Sequence, residues 1–231
     1  MTYFVRLAVL ALALVSIAIP QEQQPKKLWW VFLVKGDGPR PSDQAKLQEM
    51  QNAHIGNFKR LFGLKKLISA GPLQDPTQFK RGIVVLTVKT KDDVMECFKP
   101  DPYVQGKLMN VEAHPVTVEF GHIETQKIDP EGIEENRIVI FGPNPTPPVG
   151  PYSKSSRGRH MKHVREDGGK AGLSFYVSVQ DDSKVSAIAL FHGKDDAAIQ
   201  EWLDSDPLVK QGVWVVTKMP QWLSKGALTG G

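Results

Sequence analysis

A histidine and an aspartate recur at matching distances in the two halves of this sequence. His54 and Asp101 are 47 positions apart, and His160 and Asp206 are 46 apart. A carboxylate bonded to one imidazole nitrogen fixes the tautomer and leaves the other nitrogen free to move a proton near neutral pH. Such a pair can serve an isomerisation, an elimination or a lactone rearrangement. Each residue also has a structural reading. Asp101 precedes Pro102 and Asp206 precedes Pro207; an Asp-Pro pair starts a helical turn, because the carboxylate accepts from backbone N–H groups and proline fits the first helical position. His54 lies on an apolar stripe with Leu47, Met50 and Leu61, where a histidine can be a hydrogen-bonded core residue. No serine or cysteine nucleophile is identifiable. The single cysteine, Cys97, stands among apolar neighbours on an expected helix, the setting of an inert thiol.

The elements that must position these residues are written twice. "KPDPYVQGKL" (Lys99 to Leu108) is echoed by "SDPLVKQGVW" (Ser205 to Trp214), with the two aspartates 206 − 101 = 105 positions apart. That period is too long for a solenoid unit and suits a small domain. The first half reads as a buried strand, "LWWVFLV", and a helix from Asp43 to Phe62 ended by Gly63. "LISAGPL" follows as a strand entering a tight turn, then "GIVVLTV" as a strand, "KDDVMECF" as a helix, and a last strand within "MNVEAHPVTVEF". The second half repeats the order. "NRIVIF" leads to a helix from about Ser155 to Glu166, then "LSFYVSV", a turn at Asp181-Asp182, "KVSAIALF", "KDDAAIQEWL" and "GVWVVTKM". Aligning "LKKLISA" with "GKAGLSF" so that Leu67 falls on Leu173 sets His54 on His160, with His163 as a nearby competitor. The order βαββαβ most often means a ferredoxin-like sandwich, so the expected class is α+β. Each such sheet leaves one face bare, and the two sheets are expected to pack face to face within one polypeptide.

The sequence resembles the YCII-related proteins of the dimeric α+β barrel superfamily through His54, "LISAGPL", "GIVVLTV" and above all "DPYV". The likeness covers about Leu28 to Phe120, and more weakly Asn136 to Met219 through His160 and "DPLV". It implies ferredoxin-like units pairing their sheets into a barrel, with His54 and Asp101 as the active-site pair. Gly71 and Pro72 of the "AGPL" turn and Tyr103 on the rim are the expected substrate contacts. The second half has "FYVSV" in place of that turn, Leu208 in place of Tyr103, and a proline-rich insertion, "GPNPTPPVGPYSKSSRG". His160 and Asp206 are therefore expected to form a degenerate second site. The implied function is a small-molecule lyase or isomerase; the alternative is a non-catalytic module binding a small ligand or a partner.

Composition fits a folded protein, with 41% hydrophobic and 23% charged residues. The organisation expected is a signal peptide over 1–18, a leader over 19–27, repeats over 28–120 and 136–219, a polar linker over 121–135 and a tail over 220–231. Arg6, the apolar run from Leu7, and Ser16 and Ala18 before a cut form the secretory pattern. Cleavage there would remove only Arg6 among the charges, taking the formal balance from +4 to 28 − 25 = +3. The protein is expected to be secreted or periplasmic; an uncleaved N-terminal anchor is the alternative. "KSSRGRHMKHVR" packs five basic residues into twelve, and the pI is near 9.0. No nucleic-acid motif accompanies that run, so it reads as a solvated helix face. His160 and His163 stand at helical spacing without a third metal ligand. "GGKAG" and "GDGPRP" lack the Gly-Lys-Ser/Thr ending of a phosphate loop. A small-molecule ligand is expected, with no metal, cofactor, nucleic acid or stable membrane insertion after cleavage; a homo-oligomer is also admitted.

Overall fold

The computed structural model describes residues 25–125, 128–147, 154–181, 184–193 and 195–230. The signal segment, Asp182 and the centre of the proline-rich insertion lie outside them. The first half runs β1 (Lys27–Lys35), α1 (Gln44–Gly63), β2 (Leu67–Pro72), β3 (Lys80–Val88), α2 (Lys91–Phe98), the short α3 (Pro102–Gln105) and β4 (Met109–Phe120). After β5 (His122–Ile123), the second half runs β6 (Asp129–Pro143), α4 (Lys154–Asp167), β7 (Leu173–Val179), β8 (Ala187–His192), α5 (Asp196–Ser205), the short α6 (Pro207–Lys210) and β9 (Trp214–Lys225). β10 (Leu228–Thr229) pairs with β5. Caps set the helix starts. Asp43 accepts from the Ala45 N–H at 2.8 Å to begin α1, and Thr90 and Asp93 form a reciprocal capping box at α2.

Eight strands form one antiparallel sheet in the order β2-β3-β1-β4-β7-β8-β6-β9. Within each half this is the ferredoxin-like order, second-third-first-fourth. The halves join where Val116 of β4 pairs with Val179 of β7. The outer strands also meet, because Leu73, just past β2, bridges Gln221 of β9. The two four-stranded sets therefore share edges as well as facing one another, and the sheet closes into a barrel. Alternation along β1 explains its unbroken apolar run. Trp30, Phe32 and Val34 fill the barrel interior with Phe175, Val177 and Met219 of the other half, while Trp29, Val31 and Leu33 pack under the helices.

Three sequence expectations need correction. "AGP" is not a turn: Ala70, Gly71 and Pro72 finish β2. Gly71 is there because a Cβ would lie 1.6 Å from the Trp222 carbonyl oxygen across the closing seam, and proline is tolerated at such an edge. The polar linker is largely strand, since Glu134, Glu135 and Asn136 extend β6 opposite Leu223, Trp222 and Gln221. The tail belongs to the core: β9 continues to Lys225, and Leu223, Ala227 and Leu228 are buried. The two segments pair with each other, and that backbone pairing outweighs local composition in both. No helix among the described residues is long and apolar enough to cross a membrane.

Candidate functional site: a His-Asp pair on an apolar cavity

The inner face of α1 carries His54, and the turn from α2 into α3 carries Asp101, which is fully buried. One carboxylate oxygen of Asp101 accepts from the Tyr103 N–H at 3.0 Å and so caps α3. The other accepts from His54 Nδ1 at 2.7 Å. Cap and histidine partner are thus two uses of one side chain. Phe58 and Tyr103 hold the imidazole by edge contacts, with ring centroids 4.5 and 5.1 Å away. In the neutral ring, donation from Nδ1 to the carboxylate leaves the lone pair on Nε2. Among the described residues it has no hydrogen-bond partner.

His54 lies on the wall of a cavity of about 670 Å³. α1 contributes Ile55, Phe58 and Phe62, and the sheet contributes Leu33, Ala70 and Met109. Ile133, Trp222 and Leu223 close it from the other half. This is the scale and apolar character of a small-molecule site with a few polar groups. Gly71 and Pro72, the expected substrate contacts, are among its lining residues. Tyr103 is not: its ring backs His54, and its hydroxyl donates to Gln51 Oε1 at 2.9 Å. The cavity's further polar residues include Ser69 and Arg81. Ser69 has a buried hydroxyl without a partner among the described residues, and Arg81 is exposed, with no ion-pair partner among them.

His160 and Asp206 are also brought together, with opposite surroundings. Asp206 caps α6 by accepting from the Leu208 N–H at 2.8 Å, and accepts from His160 Nδ1 at 2.5 Å. Here Nε2 is occupied by the Tyr176 hydroxyl at 2.7 Å, and the histidine is fully buried. Burial first, and then the Asp206 charge, pushes the Tyr176 phenol well above its ordinary pKa. Tyr176 therefore keeps its proton, and its O–H donates a hydrogen bond to Nε2. Phe141 and Trp214 close over the same ring, with centroids 6.1 and 4.8 Å away.

Strand register shows where these aromatics come from. Ala70 faces Val84, which faces Val31; Tyr176 faces Ala189, which faces Val139. Leu33 and Phe141 each stand two residues further along β1 and β6. Met109 faces Lys35 as Trp214 faces Pro143. Ala70, Leu33 and Met109 on the cavity thus correspond to Tyr176, Phe141 and Trp214. The offset that sets His54 on His160, 160 − 54 = 106, also sets Ala70 on Tyr176.

His163 is bonded elsewhere: Nε2 donates to the Trp202 carbonyl at 2.9 Å, Nδ1 faces Asp167 at 3.2 Å, and the ring stacks on that of Trp202. Among the described residues no three His, Cys, Asp or Glu side chains gather as metal ligands. Sequence reasoning missed His114. Its ring nitrogens face Asp181 at 3.1 Å and Glu112 at 3.0 Å, tying β4 to the segment after β7.

The fold defines the class: a ferredoxin-like α+β barrel of the dimeric barrel type. No protein-family model and no curated protein matches the chain. Solved structures of this fold do. A candidate monooxygenase from Lactobacillus acidophilus NCFM is 8% identical, with 90% of this chain and 100% of that chain covered and a TM-score of 0.50. A candidate chlorite dismutase is 11% identical, with 88% and 95% covered and a TM-score of 0.51. A candidate monooxygenase from Fusobacterium nucleatum subsp. nucleatum ATCC 25586 is 9% identical, with 90% and 96% covered and a TM-score of 0.50. At these identities the likeness is one of fold.

Proposed function

We propose that the first half is the working site of a YCII-like small-molecule lyase or isomerase, and that the second half is a divergent duplicate that completes the barrel. The observation that carries this is the contrast between two like pairs: His54 Nε2 is unpartnered among the described residues and lies beside a cavity, whereas His160 Nε2 is filled by Tyr176. In the proposed reaction Nε2 removes a proton from a C–H or O–H group of the ligand. Asp101, on Nδ1, holds the ring and offsets the imidazolium charge that forms. The proton then returns to another ligand atom in an isomerisation, or a leaving group departs with its electron pair in an elimination. Arg81 on the cavity wall favours the anion left behind. The apolar stretch from Leu7, ending in Ser16 and Ala18, supports export.

The test is a turnover screen of the mature chain, from residue 19 onward, against small lactones and halogenated ring compounds. The variant His54→Ala is the control. We expect it to lose about 100-fold or more of any activity found, the range of a positioned acid-base group. Equal turnover in the variant would remove His54 from the mechanism, and binding without turnover would leave a ligand-binding module.

A further inference from the structure

The second half shows, in its own side chains, what fits against a histidine held in this way. Tyr176 projects from the β7 position that Ala70 occupies on β2, and its phenol reaches His160 Nε2 at 2.7 Å. Its ring centroid lies 5.5 Å from that of the imidazole. In the first half the corresponding space, between Ala70, Leu33, Met109 and His54, is cavity. We propose that the first site takes a planar ring bearing an acidic hydroxyl, a phenol or an enol, which presents its O–H to His54 Nε2 as Tyr176 presents its own to His160. This rests on the reading of His54 as the ligand-facing base.

The chemistry of the walls agrees. Ala70, Leu33 and Met109 offer apolar surface to a ring and no competing donor to Nε2. Tyr176 is sealed among aromatic rings, with Phe141 beside it and His160 at its hydroxyl. The first cavity differs by also including Arg81, a cation that favours a ligand carrying negative charge over a neutral one. The cavity also continues past this place to Ile133, Trp222 and Leu223, leaving room for ring substituents toward the seam.

The probe is p-cresol, the tyrosine side chain as a free molecule, with toluene as its hydroxyl-free counterpart. Both are titrated into the wild-type chain by calorimetry, while the His54 Nε2 resonance is followed by 15N NMR. We expect p-cresol to bind about tenfold tighter than toluene, as one net hydrogen bond allows, and to move the Nε2 resonance. Ala70→Tyr supplies the phenol from the chain itself, and should abolish p-cresol binding while shifting Nε2 in the unliganded protein. If that variant fails to fold, the wild-type titration decides alone. Equal affinity for the two probes, absence of p-cresol binding, or binding that leaves Nε2 unmoved overturns the proposal. Equal affinity with Nε2 unmoved would still be compatible with an apolar site at His54, whereas turnover surviving His54→Ala would remove the underlying reading.

Discussion

At the scale of single residues, the two His-Asp pairs separate geometry from availability. Both aspartates cap a short helix with one oxygen and hold a histidine with the other, so neither the spacing nor the Asp-Pro signature distinguishes them. The distinction lies in what meets Nε2. Tyr176→Phe removes the hydroxyl and leaves a buried ring nitrogen unsatisfied, which we expect to cost about 1–3 kcal/mol of stability. Urea unfolding measures this, and activity should be unchanged because the second site is closed. The pairing itself is legible in the amino-acid sequence, through the doubled spacing of His54 with Asp101 and His160 with Asp206. The filling of the second site is not, because Ala70 and Tyr176 acquire meaning only once the register of β2 and β7 puts both on the wall above a histidine.

At the scale of elements, the seam between β2 and β9 decides whether the cavity has a far wall. Gly71 admits the Trp222 carbonyl, and Trp222, Leu223 and Gly71 all line the cavity. A methyl group at this position, 1.6 Å from that oxygen, must push the strands apart. We expect Gly71→Ala to cost about 1–3 kcal/mol, the usual range for overpacking, and to weaken ligand binding as well. Gly56→Ala on the exposed face of α1 is the matched control, since its Cβ meets nothing within 4 Å. It should stabilise by about 1 kcal/mol through helix propensity. Paired thermal melts check both. The helices, the buried strands and the Asp-Pro turns follow their sequence patterns. "LISAGPL" does not, because glycine and proline mark a tight turn and a crowded edge strand alike; only the partner strand, 221 − 73 = 148 positions away at the bridge, tells them apart.

At the scale of the whole molecule, the doubled element order is readable and the resemblance implies a barrel, but the seam that closes it is not legible in the sequence. Face-to-face sheets follow from the bare face of each half, but edge pairing depends on β6 and β9 extending into segments whose composition is that of linker and tail. One polar cluster ties the halves together. Glu112 on β4 accepts from His114, which also faces Asp181 of the second half. The hydrogen bond from His114 is the largest influence on Glu112, and with Lys80 it outweighs burial to lower the carboxyl pKa below the ordinary 4.5. With the folded value below the unfolded one, this stabilisation is fully present above pH 4.5 and is lost as pH falls through the folded value. Glu112→Gln should flatten the acid side of the stability profile, read as urea midpoints from about pH 6 down to about pH 3. An unchanged slope would remove Glu112 from the acid response.

The central claim is that one of two alike His-Asp pairs acts on a ligand and the other is architecture. The direct measurement is kcat/KM for Asp101→Asn and Asp206→Asn side by side, on the compound the screen yields, with the melting temperature of each recorded. Asparagine keeps the cap and removes the charge that holds the histidine. The account predicts a loss of about 100-fold or more for Asp101→Asn, and activity within about twofold of wild type for folded Asp206→Asn. Equal losses would mean two working sites, and no loss in either would contradict the account.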